Sequence, residues 1–144
     1  MHHVYLSLGS NLGNRHALLE QAIDLLQERV GSLVACSSLL ETEPWGFESE
    51  NRFLNAAAHF TTHLSPLDLL LATQQIERDM GRTAKSTDGR YHDRPIDIDI
   101  LLYDDLQLNE TYDIGGHSVS LILPHPHMHE RDFVMIPLRE IHNA

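Results

Sequence analysis

Isoleucine and aspartate alternate without a break from Ile96 to Ile100, within Arg94-Pro95-Ile96-Asp97-Ile98-Asp99-Ile100. A period of two belongs to a β-strand, so Ile96, Ile98 and Ile100 share one face and Asp97 and Asp99 share the other. Aspartate is a poor strand former. Two carboxylates on one face, roughly 7 Å apart, repel each other unless a positive group sits between them. The plain account of a short Asp-x-Asp pattern is a solvated outer face. Its use on one face of a strand favours a hard divalent cation instead, and Mg²⁺ typically takes one or two carboxylates together with water and substrate phosphates.

The segment just before this strand supplies the matching charge. Arg82, Lys85, Arg90 and Arg94 fall within residues 82–94 with only Asp88 and Asp93 against them, in a chain whose formal charge is −11. Guanidinium forks fit phosphate oxygens in bidentate geometry, and Lys85 adds a mobile point charge. Cations for phosphates and carboxylates for Mg²⁺, joined through one loop, are the parts of a nucleoside-triphosphate phosphoryl-transfer site. The Gly-x-x-x-x-Gly-Lys-[Ser/Thr] pattern is missing, which excludes a P-loop enzyme. The acidic balance disfavours nucleic acid or an anionic membrane as partner. No run approaches the ~18 to 20 apolar residues of a membrane span. Cys36 is the single cysteine, and Met1-His2-His3-Val4-Tyr5 lacks the basic and apolar regions of a signal peptide. A cytoplasmic protein is expected.

Two further clusters bear on chemistry. His125-Pro126-His127-Met128-His129 invites a zinc reading. Pro126 and a helix start near Met128 work against one shared face, so an imidazole donating to a phosphate is favoured for one of the three. Phe53 and Asn55 alternate onto one face of a strand, setting a flat apolar ring beside an amide with donors and an acceptor. That pair suits a planar heterocycle that is both stacked and read by hydrogen bonds. A core phenylalanine beside a capping asparagine is the bland alternative.

Along the chain, periodicity predicts a strand over 4–8, a helix over 14–29, β structure over 33–42 and 53–62, a helix over 65–80, a strand over 96–103 and a closing helix over 128–139. Ser65-Pro66-Leu67-Asp68 is a strong helix start. Residues 109–120 read as irregular because of Gly115-Gly116. The order β, α, β, β, α, β predicts an α+β fold, a ferredoxin-like βαββαβ sandwich. Its sheet would be mainly antiparallel with the helices packed on one face, leaving the other for ligands, and residues 1–144 would form a single domain.

Leu8-Gly9-Ser10-Asn11-Leu12-Gly13, Glu43-Pro44-Trp45-Gly46, Phe53-Leu54-Asn55-Ala56-Ala57, Gln74, Glu77, Gly81-Arg82, the Arg94–Ile100 strand, and Pro124-His125 with Arg131 and Phe133 stand in one order and spacing. Together they resemble the 6-hydroxymethyl-7,8-dihydropterin pyrophosphokinases of folate biosynthesis, over nearly the whole chain. The resemblance implies transfer of the β,γ-pyrophosphoryl unit of ATP to the pterin hydroxymethyl oxygen, with release of AMP. It implies Asp97 and Asp99 as ligands of a pair of Mg²⁺ ions, Arg82 and Arg94 as phosphate grips, and His125 as a contact to the α-phosphate. Gln74, Glu77, Lys85, Ile100 and Arg131 would complete the ATP site. Phe53 and Phe133 would sandwich the pterin, with Asn55, Thr42, Pro44 and Trp45 around its edge. The sequence departs from the family pattern at Ala84, where many members carry a second loop arginine. A monomer is expected. The rival reading is a non-catalytic nucleotide- or metal-binding module on the same fold.

Overall fold

Strand β1 (His2–Ser10) is the middle of the molecule, and its alternation assigns both faces of the sheet. Val4, Leu6 and Leu8 are fully buried on one face, while Tyr5, Ser7 and Gly9 belong to the other. The computed structural model describes residues 1–11, 13–42, 53–81 and 95–142. Within them β1 lies antiparallel between β4 (Phe53–Thr62) and β5 (Asp97–Tyr103), and β2 (Gly31–Cys36) and β3 (Leu40–Thr42) pair with β4. The order β2-β4-β1-β5 leaves β5 at an edge. The fold is the expected α+β sandwich on an antiparallel sheet.

Helices α1 (Arg15–Arg29) and α2 (Pro66–Asp79) cover the face of Val4, Leu6 and Leu8. Leu19, Ala22 and Leu26 from α1, and Leu69 and Ile76 from α2, pack with Phe60, Ile98 and Ile100 in one core. Both helices start where side chains satisfy open backbone amides. Asn14 Oδ1 accepts from Ala17 N, and Ser65 Oγ accepts from Asp68 N with Pro66 following it. Such a cap contributes about 1 kcal/mol. The last turns are joined by Arg29 Nη1 donating to Asp79 Oδ2 at 2.6 Å, which holds the Asp79 carboxyl below the ordinary carboxylate range.

The closing helix behaves differently from the other two. It is split into a 3₁₀ turn (Met128–Glu130) and α3 (Asp132–Ile141), and it packs on the opposite face. Met128, Val134 and Leu138 meet Ala57 and Leu101 there, in a second, smaller core. The helices of the βαββαβ unit thus share one face as expected, and α3 covers part of the face expected to be bare. At its C-terminal end Glu140 accepts from the Ser38 amide and hydroxyl, tying α3 to the β2–β3 connection.

One expectation is overturned. Residues 109–120 are regular: β6 (Leu108–Ile114) and β7 (His117–Leu123) form an antiparallel hairpin, in register from Leu108 opposite Leu123 to Ile114 opposite His117. Gly115 and Gly116 have φ of 56° and 85°. Two successive positive φ values make the tight two-residue turn whose twist matches paired strands, so these glycines create the hairpin. Leu121 and Leu123 then bury into the main core. The β structure expected over 33–42 is two strands, interrupted at Ser37, whose N–H donates to Ala57 O and whose hydroxyl accepts from Ala57 N.

Candidate active site

Strand register builds the site. Gly9 on β1 stands opposite Asn55 on β4 and opposite Asp97 on β5, and in the next row on the same face Ser7 stands between Ala57 and Asp99. Directly opposed residues share a face. Asn55, Asp97 and Asp99 therefore stand on one surface, with Phe53 two residues before Asn55. Gly9 is what allows the row to close up. A Cβ there would lie 2.9 Å from Asn55 Oδ1 and 3.6 Å from Phe53 Cδ1, so the amide and ring edge lie across its bare backbone. Asn55 is buried at 3% exposure, and Phe53 is half-buried beside Thr42, its partner in the β3–β4 ladder.

Beside this row a cleft of about 370 Å³ opens between β5, α2 and β7. Gln74 and Glu77 enter it from α2, Asp97, Asp99 and Ile100 from β5, and His125 and Arg131 from the chain beyond β7. Seven residues singled out from sequence thus meet in one cavity. Leu70, Leu121 and Ile122 add apolar wall, and Ser120 a hydroxyl. Sequence reading missed the β7 contribution because it took residues 109–120 for irregular chain. The signal that would have found it is Gly-Gly between alternating segments.

The polar members are held firmly. Glu77 is 5% exposed, and its Oε2 accepts from Ile98 N at 2.9 Å. The His125 segment is hooked to β5 by His125 N donating to Leu101 O at 3.0 Å. Burial, then the nearby Arg131 and His127 charges, push His125 down to about 4 against the opposing pull of Asp97. The ring is therefore neutral at pH 7. Its Nδ1 accepts from His127 N at 3.3 Å, which places the ring proton on Nε2 as a donor. Arg131, 8% exposed, sits with its guanidinium carbon 6.0 Å from the centre of the Phe133 ring. Phe133 itself is half-buried at the start of α3 and packs on the Ala57–Leu101 core.

Asp97 and Asp99 are a carboxylate pair lining the cleft. Among the described residues no group of three His, Cys, Asp or Glu side chains forms a complete protein cage. Two half-buried carboxylates beside an open cleft fit a metal that keeps water and substrate phosphates as its other ligands, the habit of Mg²⁺. Pro44, Trp45, Arg82, Lys85, Arg90 and Arg94 lie outside the described residues. Residues 82–94 join α2 to β5, two elements that both line the cleft.

Comparison with known proteins assigns the family. The 7,8-dihydro-6-hydroxymethylpterin-pyrophosphokinase (HPPK) family matches residues 5–143. The chain is 55% identical over 138 residues to the 2-amino-4-hydroxy-6-hydroxymethyldihydropteridine pyrophosphokinase of Porphyromonas gingivalis, covering 96% of this chain and 89% of that protein. The Bacillus subtilis enzyme of the same name is 42% identical over 138 residues, covering 95% and 76%. Among solved structures, wild-type Plasmodium falciparum HPPK-DHPS with SDX-DHP superposes at a TM-score of 0.78 and 18% identity, over 98% of this chain. The chain spans 40% of the length of that longer protein, and the likeness concerns the fold. The chain belongs to the 7,8-dihydro-6-hydroxymethylpterin-pyrophosphokinase family.

Proposed function

We propose that this pyrophosphokinase of folate biosynthesis binds ATP in the cleft between β5, α2 and β7 and its pterin over the Phe53–Asn55 end of β4. The two meet at the Asp97–Asp99 pair. In the reaction the pterin hydroxymethyl oxygen attacks the β-phosphorus of ATP and gives its proton to solvent, the bond from that phosphorus to the α-phosphate oxygen breaks, and AMP leaves with that oxygen. The observation that carries the assignment is the Asn55–Gly9–Asp97 row. Asn55 and Asp97 are separated by one strand, hence roughly 10 Å, which brings a ring read at Asn55 within reach of a triphosphate held at Asp97.

Each residue then has a physical task. Asp97 and Asp99 would hold Mg²⁺, as a pair of ions in this reading. Mg²⁺ there would neutralise charge on the triphosphate oxygens. Arg82, Lys85 and Arg94 grip the phosphates, and His125 offers its Nε2–H to the α-phosphate on the leaving AMP. Arg131 adds a buried positive charge at the same end. Gln74, Glu77 and Ile100 wall the nucleotide, with Leu70, Leu121 and Ile122 giving its base an apolar surface. Phe53 and Phe133 stack the pterin, Asn55 reads its polar edge, and Thr42, Pro44 and Trp45 border it. Catalysis rests on positioning and charge neutralisation, as in phosphoryl transfer generally. Residues 1–144 act in this reading as one domain and as a monomer in the cytoplasm. The family match over residues 5–143 supports the single domain.

The test is incubation with Mg-ATP and 6-hydroxymethyl-7,8-dihydropterin, with separation of the nucleotide products. AMP that appears only with pterin, and is lost in Asp97→Ala and Asp99→Ala, is the expected result. ADP would mean transfer of a single phosphoryl group, and neither turnover nor pterin binding would sink the assignment.

A further inference from the structure

We propose that Glu77 is a positioning residue: by accepting the Ile98 amide it pins the strand between Asp97 and Asp99 and holds both carboxylates toward the cleft. The proposal rests on the reading of Asp97 and Asp99 as the metal-holding pair. It starts from the place of β5 in the sheet. Among the described residues, in the order β2-β4-β1-β5, this strand is an edge, paired to β1 on one side. An edge strand leaves alternate backbone amides without a ladder partner. Register matters acutely here, because a slip of one residue would turn Asp97 and Asp99 into the core and the isoleucines out of it.

The Ile98 amide, midway between the aspartates, donates to Glu77 Oε2 at 2.9 Å. Glu77 comes from α2, which is packed on β5 through Ile76 in the main core. Helix and strand edge are thus joined at the residue where a pleat error would do the most damage. The bond also accounts for the burial. A carboxylate at 5% exposure is costly unless it is hydrogen-bonded, and a backbone N–H to a carboxylate is a strong, charge-assisted bond. A carboxylate turned directly on a triphosphate would repel it, so a cleft-lining Glu77 serves better by acting through Ile98 than by touching phosphate.

Glu77→Gln keeps an acceptor of the same reach and removes the charge. Glu77→Leu keeps the bulk and removes the acceptor. Mn²⁺ binding in the presence of α,β-methylene ATP, followed by electron paramagnetic resonance, reads the metal site without turnover. Glu77→Leu should weaken Mn²⁺ at least tenfold while pterin binding, read by fluorescence, stays within threefold. Glu77→Gln should hold Mn²⁺ within threefold of the parent. A tenfold loss in Glu77→Gln would assign the effect to charge and overturn the proposal, as would unchanged Mn²⁺ affinity in Glu77→Leu. Loss of pterin binding together with the thermal transition in Glu77→Leu would also overturn it, by making residue 77 a determinant of the whole fold. Asp97→Ala run alongside separates the two readings. If Mn²⁺ affinity is indifferent to Asp97, the metal-site assignment fails; if only Glu77→Leu is silent, the positioning role fails alone.

Discussion

One face of the sheet is used in two ways by the same strands. At the end where β1 finishes, β4 begins and β5 begins, it carries Phe53, Asn55, Asp97 and Asp99 beside an open cleft. At the other end it carries His3, Tyr5 and His59, and these groups look inward to one another. His3 Nδ1 and His59 Nε2 lie 2.9 Å apart, Tyr5 stacks on His59 with ring centres at 4.3 Å, and His142 following α3 meets the Tyr5 ring edge-on at 4.7 Å. The first end sets two carboxylates at the rim of an open cleft. The second packs its rings against one another. A strand nine or ten residues long is thus a scaffold at one end and a site at the other. Substitutions should sort accordingly, into lost chemistry at one end and lost stability at the other.

The largest effect belongs to the carboxylates. Asp97→Ala should lower kcat by about a hundredfold or more, since metal stabilisation of transferring charge is worth several kcal/mol. Its urea midpoint should stay close to that of the parent, because Asp97 is half-buried at the rim of the cleft and outside the apolar core. A large drop in midpoint with kcat preserved would place Asp97 among the stabilising residues and erase the contrast. Next comes Gly9. Gly9→Val would drive a side chain into Asn55 Oδ1, where even a Cβ stands at 2.9 Å. Displacing a buried amide from its partners costs about 1–3 kcal/mol. Pterin affinity should fall tenfold or more in a fluorescence titration, with ATP affinity unchanged. Equal losses for both ligands would mean that the row is one site rather than two adjoining ones.

Why part of this was legible before the structure lies in what each pattern encodes. The Ile/Asp alternation at residues 96–100 carries its own geometry, since a period of two leaves no other placement for Asp97 and Asp99. The same holds for Phe53 and Asn55, and for the Ser65-Pro66 helix start. Gln74 and Glu77 are different. Nothing in helical spacing singles them out, and only the family resemblance marks them. Gly115-Gly116 is ambiguous in sequence because glycine breaks a strand interior but builds a tight turn, and only the flanking alternation tells the two apart. The placement of α3 was not legible either. Val134 and Leu138 announce an apolar stripe, yet a stripe does not say which face of a sheet it will cover.

At the inward-looking end the effect moves from rate to stability. Tyr5→Ala should cost about 2 kcal/mol in urea unfolding, for a half-buried ring that loses a stacked partner. Turnover per folded molecule should stay at the parent value. A kcat loss beyond threefold would show that the two ends are coupled through β1.

The smallest effect is the one that pH brings out. Burial depresses His59 below its ordinary value, and the neighbouring His3 and His142 charges push the same way. The folded protein therefore holds the neutral ring, while the unfolded chain binds the proton at about 6.5. More protons on the unfolded side make stability rise with pH. The contribution of His59 is thus complete above pH 6.5 and declines as pH falls from there toward the lowered folded value. His125, driven to about 4, adds a decline of the same sign between 6.5 and 4. Urea midpoints at pH 7.5 and pH 5 should therefore differ in the parent, and His59→Gln should shrink the difference without touching turnover at either pH. Because His125 remains in that variant, a residual slope should persist. A difference that vanishes entirely would assign all of it to the packed end, and one that does not change at all would assign it to the cleft.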